Sequence, residues 1–195
     1  MHIEEEITVE VDASYEELLK ILRKNHFHKK ESFLLRDYYL IHTNEKKDTN
    51  YLSLLNKCVL VRSIITKKKQ SHFLTYKYKE YLDNGDIKKQ SKVSCRIENP
   101  DDIRVILNNL SFEELIKIDD QMSIYANDED IMGVQWVNNK HLYIEVELDK
   151  KPNGSYKSLE EIKGIFKKYN IPIKGNNYYV KKAEIELKEK CEKIS

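Results

Sequence analysis

Two stretches far apart in the chain alternate apolar and polar residues with the period of an extended strand. In Ile3–Val11, Glu4, Glu6, Thr8 and Glu10 share one face, and Ile7, Val9 and Val11 share the other. In His141–Leu148, Glu145 and Glu147 lie opposite Leu142, Ile144, Val146 and Leu148. Further strands are predicted over Ser32–His42, Val59–Thr66, Ser71–Tyr81, Ile87–Ile97, Leu115–Ala126 (with an irregular centre) and Ile131–Val137. Ile87–Ile97 sets Val93, Cys95 and Ile97 against Lys92, Ser94, Arg96 and Glu98. Asp83-Asn84-Gly85-Asp86 is a hairpin signal, because Asn-Gly suits left-handed turn positions.

Helices interrupt this pattern. Ser14 and Glu17 have capping-box spacing before an apolar stripe of Tyr15, Leu18, Leu19 and Leu22. Tyr51–Leu55 reads as one helical turn. Asn99-Pro100 opens a helix with Ile103, Ile106, Leu107 and Leu110 on its apolar side. Ser158 and Glu161 cap another that ends near Tyr169. A last helix from about Tyr179 carries Val180, Ala183, Leu187, Cys191 and Ile194 on one side. The expected class is α+β: an antiparallel, eight- to nine-stranded closed β-barrel with flanking helices. One domain is expected over residues 1–195, with a strand–helix meander in 1–150 and helices 158–195 packed on the barrel.

Composition narrows the function classes. Lys plus Arg number 34 and Asp plus Glu 33 among 195 residues, so the net charge is only +1. That lacks the basic excess of a nucleic-acid module. No apolar run is long enough for a membrane helix, and the acidic start lacks a signal-peptide pattern. Cys58, Cys95 and Cys191 are odd in number and set in apolar patterns, which suggests reduced, mostly buried thiols in a cytoplasmic protein. Five glycines form no phosphate-binding loop, so any phosphate must be held by side chains.

Several strands carry charge on one face only. Glu4 and Glu6, Lys77 and Lys79, Lys92 and Arg96, and Glu145 and Glu147 are such pairs. A half-solvated antiparallel sheet gives the same alternation. Helices must pack on the apolar face, however, which leaves the charged face either open to water or curled inward. A curled face with acids and bases on separate strands suits a metal-bound polyphosphate. His26 and His28 beside Lys29 and Lys30 read as solvent-exposed. His42, His72 and His141 lack ligand spacing, and Trp136 reads as packing.

The Glu-x-Glu opening resembles the CYTH domain, the triphosphate tunnel metalloenzymes. That family includes class IV adenylate cyclases, thiamine triphosphatases and inorganic triphosphatases. Asp37-Tyr38-Tyr39 is similar to its Asp-x-Tyr stretch, and Val59-Leu60-Val61-Arg62 to its Leu-Arg-x-Arg strand. Leu74-Thr75-Tyr76-Lys77 resembles its Leu-Thr-x-Lys strand, and Tyr143-Ile144-Glu145-Val146-Glu147 its late Glu-x-Glu strand. The chain departs from the pattern at Thr8, where the family has lysine, and at Leu60, where it has arginine. Lys92-Val93-Ser94-Cys95-Arg96 keeps a base but neither acid, Lys117–Met122 shows no Lys-x-Arg strand, and Gln135 stands for an aspartate.

The resemblance implies a metal-dependent phosphohydrolase binding a triphosphate-containing small molecule (tripolyphosphate, thiamine triphosphate or a nucleoside triphosphate) in a β-tunnel. Glu4, Glu6, Glu145 and Glu147 would hold Mg²⁺ or Mn²⁺. Arg62, Lys77, Lys79, Lys92 and Arg96 would grip phosphates. One alternative is a class IV adenylate cyclase making cyclic AMP and pyrophosphate from ATP. Another, motivated by the departures, is a degenerate module that binds polyphosphate or nucleotide without turnover. A solvated sheet with an interaction role is the third. The expected partner is the small-molecule triphosphate, with no nucleic acid and no membrane; a homodimer is left open.

Overall fold

The computed structural model describes residues 2–3, 6–81 and 87–193; Glu4 and the Asn84-Gly85 turn lie outside the described residues. In chain order the elements are β1 (His2–Ile3), β2 (Glu6–Glu10), α1 (Tyr15–Lys24), β3 (His28–His42), α2 (Tyr51–Asn56), β4 (Val59–Ile65), β5 (Gln70–Tyr81) and β6 (Ile87–Ile97). There follow α3 (Pro100–Asn109), β7 (Phe112–Ala126), β8 (Ile131–Val137), β9 (His141–Glu147), α4 (Leu159–Lys168) and α5 (Lys182–Glu192). The α+β class holds. Among the described residues no helix is long and apolar enough to cross a membrane.

The residues gather into two compact units. The first comprises Met1–Ile3, Leu34–Asp119 and Lys181–Ser195, and its strands follow the order β1-β6-β5-β4-β3-β7. The second comprises Glu4–Phe33 and Asp120–Val180, and its order continues β7-β8-β9-β2. The ladders of β4 with β3 and β5, β5 with β6, β8 with β7 and β9, and β2 with β9 are antiparallel.

The second unit is built as the pattern predicts. The Ser14–Glu17 capping box starts α1: Ser14 Oγ accepts from the Glu17 amide at 3.3 Å, and Glu17 Oε2 accepts from the Ser14 amide at 2.9 Å. Leu18 and Leu22 of α1 and Ile162, Ile165 and Phe166 of α4 form one core with Ile7, Val9, Leu142, Ile144 and Val146. Both helices thus cover the apolar face of β2 and β9. Trp136 is packing: its ring stacks on Tyr15 with centroids 5.3 Å apart.

Of the predicted strand Ile3–Val11, the described residues form β1, paired with β6, and β2, paired with β9. Three expectations need correction. The barrel is not closed by hydrogen bonds: among the described residues no ladder joins β1 to β2. At Thr8 the outer edge of β2 is taken by the tail, with the Thr8 amide donating to the Tyr178 carbonyl at 3.2 Å and the Val180 amide donating to the Thr8 carbonyl at 2.9 Å. Residues 178–180 are therefore extended and α5 starts only at Lys182, later than the apolar spacing suggested. Finally, α3 buries no residue fully; Ile106 and Leu110 remain 52% and 60% exposed.

Candidate functional site

In the second unit, β2 and β9 bring their acids together on one face. Glu6 lies directly opposite Glu147, Thr8 opposite Glu145, and Glu10 opposite Tyr143. From β8, Gly133 faces Glu145 and Gln135 faces Tyr143. This polar face is withdrawn from water. Thr8 is 5% exposed, Gln135 1% and Tyr143 0%, while Glu6, Glu145 and Glu147 are half-buried. A solvated sheet face would leave these side chains open.

The buried acids have specific partners. Gln135 Nε2 donates to Glu145 Oε2 at 3.0 Å, and Lys150 Nζ donates to Glu147 Oε1 at 2.6 Å. Partial burial works against the Lys150 ammonium, yet its bond to Glu147 and the charges of Glu147, Asp149 and Glu145 raise its pKa above the ordinary value. Glycine at 133 keeps the position facing Glu145 clear; a Cβ there would meet Met122 Sδ at 3.0 Å. Further along, Glu10 Oε1 is shared by His141 Nδ1 at 3.2 Å and Lys174 Nζ at 3.0 Å. Among the described residues no three histidine, cysteine or acidic side chains converge at metal-ligand spacing, and Glu4 lies outside them.

The first unit gathers the cations. One row across the sheet runs Asp37, Arg62, Phe73, Arg96, and another pairs Lys77 with Lys92. Lys79 stands opposite Gln90, and the Asn56 side chain of α2 bonds both its backbone amide (3.2 Å) and its carbonyl (2.9 Å). Arg62 is clamped by Asp37 through two bonds, Nε to Oδ1 at 2.7 Å and a shorter one from Nη2 to Oδ2. Thr75 and Ser94, opposite one another on this face, share a hydroxyl hydrogen bond.

The burial of β5 is inverted relative to ordinary amphipathic strands. On the charged face Thr75 is 1% exposed, and Lys77 and Lys79 are half-buried. On the other face Tyr76 and Tyr78 are 42% and 44% exposed, and Val93 of β6 is 56% exposed. Cys95 is exposed with them, which corrects the expectation of a buried thiol; Cys58 alone is fully buried. On β5 polar groups thus lie inward and tyrosines outward, while Ser94 and Arg96 of β6, on the charged face, are exposed.

The register sets Glu6, Glu145 and Glu147 on one face and Arg62, Lys77, Lys92 and Arg96 on another. Sequence reasoning missed Asp37, Gln135 and Lys150 as their partners. The Asp-x-Tyr match and the three-residue spacing from Glu147 to Lys150 were the available signals for two of them. His72 Nδ1 lies 2.9 Å from Ser63 Oγ, and His42 Nδ1 accepts from the Asn44 amide at 3.2 Å.

No protein-family model matches the sequence, and no curated protein matches it significantly. Solved structures do. PH1819 from Pyrococcus horikoshii is 17% identical, with a TM-score of 0.69 over 95% of this chain and 99% of that one. HpAC1 from Hippeastrum, an adenylyl cyclase candidate described as having a dominant triphosphatase activity, is 14% identical with a TM-score of 0.60 over 91% and 90%. A Vibrio parahaemolyticus adenylate cyclase candidate is 12% identical with a TM-score of 0.58 over 88% and 90%. The chain has the CYTH fold. Within this fold four of the five departures are locally accommodated. Leu60 is buried at 1% exposure, and Thr8 is buried opposite Glu145. Ser94 bonds Thr75, and Gln135 bonds Glu145.

Proposed function

We propose that the chain is a metal-dependent phosphohydrolase acting on a triphosphate-containing small molecule held in a β-tunnel. The observation that carries this reading is the burial of polar groups on two charged faces, Thr8 and Gln135 beside the acids of β2 and β9 and Thr75 beside the lysines of β5. Glu6 lies opposite Glu147 and Lys77 opposite Lys92. A divalent cation would bind at the first pair and a polyanion at the second. The cyclase and triphosphatase descriptions of the structural neighbours support the same substrate class.

The residues fit Mg²⁺ or Mn²⁺, because the acidic face offers only oxygen donors. Glu6, Glu145 and Glu147, with Glu4, would hold the ion. A divalent cation there supplies charge neutralisation for phosphate oxygens and activation of water. Lys77, Lys79, Lys92, Arg62 and Arg96 bind and orient the phosphate chain. Phosphoryl transfer needs little more than such positioning and charge stabilisation. The clamp from Asp37 fixes the plane of the Arg62 guanidinium.

A second reading is a binding module without turnover. It is favoured by the internal partners already on site groups, Lys150 on Glu147 and Asp37 on Arg62, together with the loss of acids at Ser94 and Gln135. One assay separates the outcomes. Purified protein is given tripolyphosphate, thiamine triphosphate or ATP with Mg²⁺ or Mn²⁺, and phosphate, pyrophosphate and cyclic AMP are measured. Phosphate release that disappears in Glu145→Ala supports the hydrolase. Cyclic AMP with pyrophosphate identifies a cyclase. Thermal stabilisation by ligand without product identifies the binding module, and no response to any ligand overturns all three.

A further inference from the structure

The net charge of +1 hides a sharp division along the chain. Between Asp48 and Glu98 there are eleven Lys and Arg but only three Asp and Glu, a net +8, so the remaining residues carry −7. Three of those cations, Lys67, Lys68 and Lys69, are consecutive in the turn from β4 to β5. Thr66 ties that turn: its Oγ1 accepts from the Lys69 amide at 3.0 Å and donates to the Lys69 carbonyl at 2.9 Å. All three lysines are exposed, and among the described residues no acid pairs with them. By contrast Lys46, Lys57, Lys151 and Lys168 each have a carboxylate at 2.9 Å or less. The same strand β5 carries Tyr76 and Tyr78 on the face away from Lys77 and Lys79. They are 42% and 44% exposed, and neither ring meets another ring or a cation among the described residues. The rings of Tyr15, Tyr38, Tyr125 and Tyr156 all do. Val93, opposite Tyr76 on β6, is 56% exposed beside them. By strand rise the two tyrosines are about 7 Å apart, and Tyr76 is roughly 23 Å from Lys69.

We propose that the outer face of β5, together with the lysine turn, binds single-stranded nucleic acid: Tyr76 and Tyr78 stack on bases, and Lys67, Lys68 and Lys69 hold backbone phosphates. Unpaired cations and unoccupied aromatic rings on one element are the two parts such a surface needs. A linear polyanion can follow the strand from the turn to the rings. A bilayer meeting the lysines at the hairpin tip would leave the mid-strand rings out of reach, and an acidic peptide would give them nothing to stack on. The bases of a duplex are already stacked on one another, so the single strand is the fitting form. The balanced charge of the whole chain argued against a nucleic-acid partner; the distribution of that charge argues for one. This surface is separate from the lysines proposed to grip a triphosphate, since Lys77 and Lys79 lie on the opposite face of β5.

Fluorescence anisotropy of a labelled oligouridylate of about ten nucleotides, titrated with the intact chain over a range of salt, tests this. The probe ends in a 5′-hydroxyl, so it offers no triphosphate to the site proposed above. The set is wild type, the double variant Tyr76→Ser with Tyr78→Ser, and the triple variant Lys67→Gln, Lys68→Gln and Lys69→Gln. Wild type is expected to bind the single strand more tightly than its duplex with oligoadenylate. The tyrosine variant should lose about tenfold or more in affinity with an unchanged salt slope. In the lysine variant the slope of log affinity against log salt should become shallower by about 2. No binding at low salt, equal binding of single strand and duplex, or wild-type affinity in either variant would overturn the proposal. So would binding of phosphatidylserine vesicles or polyglutamate with the same dependence on both sets of residues. If the serine variant does not fold, Tyr76→Leu with Tyr78→Leu, which keeps apolar bulk without a ring, is judged by the same criteria.

Discussion

Replacing Asp37 by asparagine should cost the protein more than any other single charge removal in the first unit. The Arg62 and Asp37 side chains are only 18% and 9% exposed and meet through two hydrogen bonds. Removing one partner of a buried pair strands the other charge and costs roughly 3–5 kcal/mol. Asparagine keeps one acceptor, so about 3 kcal/mol is expected. At roughly 2–4 °C per kcal/mol for a chain of this size, the thermal midpoint should fall by about 6–12 °C. Asp119 supplies an internal control. It also binds an arginine through two bonds, Arg36 Nε at 2.7 Å and Nη2 at 3.3 Å, but those side chains are 35% and 32% exposed. Water screens that pair, so Asp119→Asn should cost about 1 kcal/mol, or roughly 2–4 °C. Circular dichroism melts of the two variants beside wild type give the comparison. Titration with tripolyphosphate should show Asp37→Asn binding about tenfold more weakly, because the guanidinium is no longer pre-oriented. Equal midpoints for the two variants, or unchanged tripolyphosphate affinity in Asp37→Asn, would refute the reasoning.

Other outcomes follow from the same geometry. Mn²⁺ should raise the thermal midpoint of wild type more than that of Glu6→Gln, as melts with and without the ion would show. Burial pushes the Cys58 thiol up to about 12, so at pH 8 only about one part in ten thousand is thiolate, and a thiol reagent should modify exposed Cys95 long before Cys58. The sign for stability follows: because the folded value is raised, the contribution of Cys58 is complete below its ordinary value of 9.0 and is lost as pH rises towards about 12, which a melt series over that window would register. Tyr76→Ser and Tyr78→Ser should each change stability by less than about 0.5 kcal/mol, whereas Leu60→Ala, on the charged face, should cost about 2–5 kcal/mol; equal costs would contradict the inverted burial.

The alternation of residues made the strands legible, and with them the face each charge occupies. It also located the helices whose caps are written locally, as at Ser14, Asn99 and Ser158. Register was not legible. That Glu6 meets Glu147, or that Lys77 meets Lys92, depends on pairings between distant segments that no local pattern encodes. Nor does period-two alternation say which face lies inward. The usual assumption puts tyrosine and valine inside, and at Tyr76, Tyr78 and Val93 it fails, because the tertiary fold buries the charged side instead. The same limit hid Gln135 and Asp37: each is read by its partner on another strand. The tail over Tyr178–Val180 was read as helix because its apolar spacing also fits one, but Thr8 on β2 offers it backbone partners in an extended form.

The central claim is that the chain binds a triphosphate together with a divalent ion. Isothermal titration with tripolyphosphate, with and without Mn²⁺, tests it most directly. The account predicts one-site binding that strengthens with Mn²⁺ and is lost alike in Lys77→Met and Glu147→Gln. No heat of binding, or binding indifferent to both substitutions, would contradict it.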